Sequence, residues 1–352
     1  MSDRVHFSPG IAFALASAVL FGASAPLSKL LLGSIDPWLL AGVLYLGAGV
    51  GLAIAHLGRG ALGLEGLEAP LRRTDLPWLS AVVLFGGVIG PVLLMFGLSM
   101  TSAASGSLLL NLEGLATMGI AWLVFRENVD RRLLLGAGAI LGGAVLLSWQ
   151  GEGARLDLGG LLIAGACLAW GIDNNLTRKL SSADPVQIAM IKGIAAGTTN
   201  LVLALSFGAQ LPAVGVLAGG AVVGFLGIGV SLVLFMLGLR HLGTARTGAY
   251  FSLAPFIGAL VALVVFREGV SLQVAAAAVL MGIGLWLHLT ERHEHEHQHE
   301  PLEHEHAHVH DEHHQHEHDG PVTAPHSHWH RHAPTRHRHP HYPDIHHRHG
   351  HG

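Results

Sequence analysis

Between Gly10 and Thr290 the chain is a succession of apolar stretches, each about long enough to cross a bilayer, joined by connections as short as 33–36 and 267–269. A hydrocarbon core of about 30 Å asks for about 20 mostly apolar residues per helix. Ten candidates follow one another, at about 11–32, 37–57, 77–98, 103–125, 133–150, 158–177, 185–207, 213–239, 244–266 and 271–290. Backbone in lipid finds no water, so each run must close its hydrogen bonds within itself, and for runs of this length that means a helix. Residues 1–290 hold 28 Asp, Glu, Lys and Arg, roughly 10% against about 25% in a soluble domain. The expected fold class is therefore an all-α polytopic membrane protein with ten transmembrane helices and a lipid bilayer as its main partner.

Loop charges orient it. With the N-terminus inside, the inner loops hold Arg59, Arg72, Arg73, Arg126, Arg131, Arg132, Arg178, Lys179, Arg240 and Arg246, with Arg4 and Arg292 at the ends. The outer ends hold Lys29, Arg155 and Arg267. An excess of Lys and Arg marks the cytoplasmic side. Both termini are expected to be cytoplasmic, in a plasma (inner) membrane, with the first apolar segment a retained helix. The net charge of −4 leaves no basic domain for nucleic acid. The single cysteine, Cys167, rules out a disulfide framework within the chain.

The ten stretches fall into two sets of five. Gly97-Leu98 and Gly238-Leu239 stand 141 residues apart, as do Phe125-Arg126-Glu127 and Phe266-Arg267-Glu268. Upstream, Phe21-Gly22 followed by Lys29 parallels Trp170-Gly171 followed by Arg178, and Asp36-Pro37 parallels Asp184-Pro185. Five is odd, so the second copy enters the membrane inverted. Inverted repeats place a substrate site near the midplane between the halves, and access alternates as one rocks against the other. The expected division is 8–150 for the first repeat, 151–290 for the second and 291–352 for a tail.

These landmarks resemble the EamA domain of the drug/metabolite transporter superfamily, in two copies over roughly residues 8–290. The resemblance rests on the Phe/Trp-Gly…Lys/Arg openings, the Gly-Leu runs entering helices 4 and 9, and the Phe-Arg-Glu endings. Leu112-Glu113-Gly114 and Leu253-Ala254-Pro255 each keep part of that family's Leu-Glu-Pro-like triplet, and Phe21 stands for the usual tryptophan. The resemblance implies ten helices and transport of small organic molecules, commonly coupled to a proton gradient or exchange. Amino acids, sugars, nucleotide sugars, cationic drugs and polyamines are all within the family's range.

Ionisable side chains at bilayer depth cost about 2.5–3.5 kcal/mol on insertion scales, and they usually face a partner or a watery cavity. Glu113 lies near the midplane of the fourth stretch, with Asn111 two residues earlier. Burial disfavours a charged carboxyl, so a group there is suited to proton exchange or substrate binding. Lys192 is the other isolated interior charge. It either joins the site, pairs with Glu113, or reaches toward the headgroups. Trp170, Asp173, Asn174 and Asn175 sit in the inner third of the sixth stretch. Three consecutive polar residues cover most of a helix circumference, so either some face a cavity or the helix ends early. Tyr250 and Ser252 would line the same cavity from the other half, or act as packing groups. Pro26, Pro91 and Pro255 free backbone carbonyls within helices.

From Glu291 onward, 23 of 62 residues are histidine. No apolar periodicity survives there, and such a segment is expected to be disordered. Neutral imidazole suits Ni(II), Zn(II), Cu(II) and Co(II). The expected ligands are His293, His295, His297, His299, His304, His306, His308, His310, His313, His314, His316 and His318. Other uses of such a tail are a pH-responsive tether, since imidazole titrates near 6.5, or a metal store.

Three functions compete: a secondary transporter of a small organic metabolite or drug with a regulating or buffering tail, a divalent Ni/Co/Zn exporter fed by the tail, and a metal-storage protein on an inert anchor. Against the exporter, the spans hold only His56, His241 and His288, all near helix ends. Against inertness stand the repeat and Glu113. No nucleophile–base pairing or phosphate-cradling loop points to an enzyme, no cofactor is required, and a homodimer is compatible with all three.

Overall fold

The structure, a computed structural model, describes residues 9–61, 71–125, 131–149, 157–180, 184–242, 244–290 and four short pieces of the tail. The first two spans are α1 (Pro9–Leu31) and α2 (Pro37–Ala61). The third opens with a 3-10 turn, Arg73–Asp75, and continues through α3 (Leu76–Val82), a π-helical turn (Val83–Ile89) and α4 (Gly90–Met100). The fourth is broken into α5 (Ala103–Leu109) and α6 (Leu112–Phe125). Then come α7 (Arg131–Ser148), α8 (Leu158–Thr177) and α9 (Pro185–Ser206). The eighth span is α10 (Val214–Gly224), a second π-helical turn (Phe225–Val230) and α11 (Ser231–Leu242). The ninth is broken into α12 (Thr244–Phe251) and α13 (Ala254–Phe266), and α14 (Leu272–Leu289) is the tenth.

Among the described residues, nine helices are long and apolar enough to cross a membrane. The tenth span, α8, misses that mark through Asp173, Asn174 and Asn175 at its end. With an even number of spans, the start of α1 and the end of α14 lie on one face, here called the terminal face, opposite the far face.

The repeated Asp-Pro pairs now have a physical reason. Asp36 accepts hydrogen bonds from the backbone N–H of Trp38 (2.9 Å) and Leu39 (3.1 Å), and Asp184 accepts from Val186 N–H (2.8 Å). Each aspartate caps free N–H groups at a helix start while the proline, which has no N–H to satisfy, occupies the first turn. The interior is built on small residues. Spans 2 and 7 meet at the centre, where a Cβ on Gly193 would lie 2.7 Å from Gly49 backbone. Spans 5 and 10 pair where a Cβ on Gly284 would lie 2.6 Å from the Gly136 carbonyl. Lipid is as apolar as leucine, so association rests on close van der Waals packing of this kind. The outside is correspondingly apolar. Leu57, Leu123 and Val264 are exposed and Leu272 is 87% exposed, a surface only a bilayer covers.

In the tail, where no regular structure was expected, Glu294–Gln298 (β1) pairs antiparallel with Arg336–Pro340 (β4), and Glu303–His308 (β2) with His326–Arg331 (β3). The Glu-His alternation has period two, which is also the period of a strand.

Candidate functional site

Four distortions, all unmarked by hydropathy, shape the site: two breaks and two π-helical turns. The fourth span stops at Leu110 and Asn111 and the ninth at Ser252 and Leu253, with Asn111 and Ser252 counterparts at the 141-residue spacing of the repeat. The two π-helical turns are likewise repeat counterparts. In each, one N–H reaches back five residues, Gly90 to Phe85 and Ser231 to Leu226. A π turn shifts the helical register and releases carbonyls from the ladder, and such turns recur at functional positions.

In the first repeat, the freed carbonyls become acceptors for side chains from three other spans. Tyr45 O–H (2.8 Å) and Trp170 Nε1–H (3.0 Å) both donate to the Gly86 carbonyl. Asn200 Nδ2–H donates to the Gly87 carbonyl (3.0 Å), and its Oδ1 accepts from Trp38 Nε1–H (3.3 Å). Beside this turn, Lys192 of α9 pairs with Asp173 of α8. A Cβ on Gly86 would collide with the Asp173 carboxylate and the Lys192 ammonium, so the ion pair fills the space that glycine leaves. One of the alternatives for Lys192 was a pair with Glu113. The aspartate, nineteen residues upstream, holds it instead, because the π turn opens the gap between α8 and α9.

Glu113 stands at the start of α6, just past the break. Its carboxylate accepts from Asn174 Nδ2–H (3.1 Å), which also donates to Thr117 Oγ1 (3.1 Å). Asn174 is exposed and Glu113 is partly so. Asn175 points the other way, donating to the carbonyls of Thr117 (3.0 Å) and Gly171 (2.8 Å) and leaving its buried Oδ1 unpartnered among the described residues. Helix α8 runs on to Thr177, so the triplet does not end it.

Four of the expected residues thus converge beside the Val83–Ile89 turn, on α6, α8 and α9: Glu113, Asp173, Asn174 and Lys192, with Trp170 and Asn175 tying α8 to its neighbours. Asn111 turns inward, donating to the Leu108 carbonyl (2.8 Å) and touching the Met281 sulfur (3.9 Å), where it stabilises the break. Ser252 bonds back to the carbonyls of Gly248 (2.7 Å) and Ala249 (3.0 Å). Tyr250 lies half-buried on α12, which packs on α1 and α11. Missed from sequence were Tyr45, Asn200, Thr117 and the Gly86-Gly87 pair. The available signal was polar residues in apolar runs beside a glycine doublet.

Of the histidines expected to bind metal, His295 and His297 lie in β1 and His304, His306 and His308 in β2. His293, His299, His310, His313, His314, His316 and His318 lie outside the described residues. Among the described residues no group of three His, Cys, Asp or Glu is placed to hold a metal.

Ten apolar spans in two inverted halves define a polytopic membrane protein. The chain belongs to the EamA-like transporter family, whose model matches residues 8–149 and 157–290, one match per repeat. It is 30% identical over 283 residues to an uncharacterized transporter of Methanothermobacter thermautotrophicus, covering 76% of this chain and 82% of the relative. A solved crystal structure shares the fold, with a TM-score of 0.59 at 19% identity over 80% of this chain and 96% of the other. The protein is a membrane transporter and not an enzyme.

Proposed function

We propose that the chain is a secondary transporter that moves a small organic solute by alternating access, with Glu113 as the group that meets solute and proton in turn. The observation that carries this is the Glu113–Asn174–Thr117 cluster at the break of the fourth span, next to the Asp173–Lys192 pair. A carboxylate already compensated by a paired lysine is a poor coupling group, and Asp173 is so compensated. Among the described residues the Glu113 carboxylate accepts from the neutral Asn174 amide and is partly open, so a proton or a solute donor can take the place of Asn174 there. Tyr45, Trp170 and Asn200 would hold the π turn and hence the floor of the site.

A second reading, divalent metal export fed by the tail, draws on the run of tail histidines. Metal binding by the tail under either reading rests on neutral imidazole being a good donor for Ni(II) and Zn(II).

One experiment separates them. Proteoliposomes holding the full chain, residues 1–290 and Glu113→Gln are loaded with a pH-sensitive dye. They are offered amino acids, polyamines and lipophilic cations, then radiolabelled Ni(II) and Zn(II), and only metal released by ionophore counts as transported. Solute-dependent proton movement that survives truncation and falls at least about tenfold in Glu113→Gln supports the organic carrier. Lumenal metal accumulation that needs both tail and Glu113 would overturn it.

A further inference from the structure

The two broken spans are closed at one end only. Their far-face halves, α5 and α13, pack together through Ala103, Ala104 and Ala262 under Leu263 and Phe266. Ser107 is fully buried there, and a Cβ on Gly258 would lie 3.1 Å from its hydroxyl. The terminal-face halves part to different neighbours, α6 to α8 and α12 to α1 and α11. Gly248, the repeat counterpart of Ser107, has open space where its side chain would be.

A carboxylate closes the packed end. The first N–H groups of a helix have no partner within it. At the start of α5, Ala103 N–H donates to Glu268 Oε1 (3.0 Å) and Ala104 N–H to Oε2 (3.2 Å), while Ser105 N–H is taken by Ser102 Oγ (3.1 Å). The cap on the first repeat's fourth span therefore comes from the second repeat, and hydrogen bonds to a charged acceptor are the stronger kind. Aiming Glu268 this way puts Arg267 at φ 51°, the one non-glycine residue with positive φ among the described residues. A left-handed arginine is costly, and such strain persists where its surroundings enforce it. Lys29, at the end of α1, lies within electrostatic reach of Glu268 and donates to the Leu98 carbonyl at the end of α4 (2.6 Å). Spans 1, 3, 4 and 9 are thus gathered around one carboxylate.

We propose that Glu268 is the latch of the far-face gate, holding α5 against α13 until its cap on Ala103 and Ala104 is released. The latch rests on the alternating-access reading for its role in transport, though not for its existence as a clasp.

The test uses the full chain with Cys167→Ser and a single reporter, Ser107→Cys or Gly248→Cys, in right-side-out and inverted membrane vesicles. The rate of reaction with a membrane-impermeant maleimide is followed from each side. With Glu268 intact, the reporter at 107 should react slowly from the far face. Glu268→Ala should speed it on the order of fivefold or more, the low end of ordinary coupling. Arg267→Gly, which relieves the backbone while keeping the carboxylate, should not speed it. Glu268→Gln, of the same size, stands in if the alanine variant does not fold. An unchanged rate in a folded Glu268 variant, or an equal acceleration by Arg267→Gly, overturns the latch. A faster reporter at 107 together with a slower one at 248 supports latch and alternation together. A faster 107 with 248 unchanged keeps the latch and defeats alternation.

Discussion

The Asp173–Lys192 pair is the residue-scale feature with the largest energetic stake. Asp173 is buried and Lys192 nearly so, and the gap made by Gly86 holds them together. Desolvating two charges cancels much of their attraction, so such a pair is weak evidence of stability in itself. Removing one partner is another matter, because the remaining charge stays buried and unpaired. Lys192→Met is expected to cost about 3–5 kcal/mol, and Lys192→Met with Asp173→Asn to recover most of it. Unfolding of the single and double variants in mixed micelles measures both. A single variant as stable as the parent would show the pair to be solvated.

At the scale of elements, the breaks and π turns matter more than the regular helix around them. The turn at Val83–Ile89 directs two carbonyls at Tyr45, Trp170 and Asn200, and its counterpart at Phe225–Val230 sits against α1, where a Cβ on Gly227 would lie 2.5 Å from Ser24. Ser24 is the repeat counterpart of Asp173, so both halves use one packing scheme and only one carries charge. Gly86→Ala should therefore displace the ion pair and destabilise the protein by about 1–3 kcal/mol, the usual cost of overpacking. Gly114→Ala, whose side chain meets open space, should change stability by less than about 0.5 kcal/mol. Thermal unfolding in detergent compares them, and equal losses would count against the packing argument.

At the scale of the molecule, the far-face halves of the broken spans pack together while the terminal-face halves part, the arrangement that the proposed alternation requires on one side of its cycle. Loop arginines predict that the terminal face is cytoplasmic. An antibody against the tail should stain cells only after permeabilisation, and protease added to inverted vesicles should remove the tail. Staining of intact cells would reverse the orientation and place the Glu268 latch on the cytoplasmic side.

The helical class, the number of spans and the inverted repeat were legible in the sequence, because hydropathy, span length and repeated polar landmarks are local and survive without coordinates. The stretch from 158 to 177 was readable as a span despite its polar end. Glu113, Asp173, Asn174 and Lys192 were also legible as interior polar residues, since charge in an apolar run stands out wherever the chain goes. What they bind was not. Lys192 meets Asp173 because the third span, distant along the chain, leaves a gap where Gly86 has no side chain, and a pairing across helices has no signature in either helix alone. Tyr45 and Asn200 escaped for the same reason, as their acceptors are carbonyls that exist only once a helix slips its register. The role of Glu268 lies further still from sequence: it takes an αL residue, a broken helix from the other repeat and their meeting at one face to make a carboxylate into a cap. Composition and periodicity decide which segments enter the membrane; how close two backbones come, and which polar groups that approach releases, is decided only by packing in three dimensions.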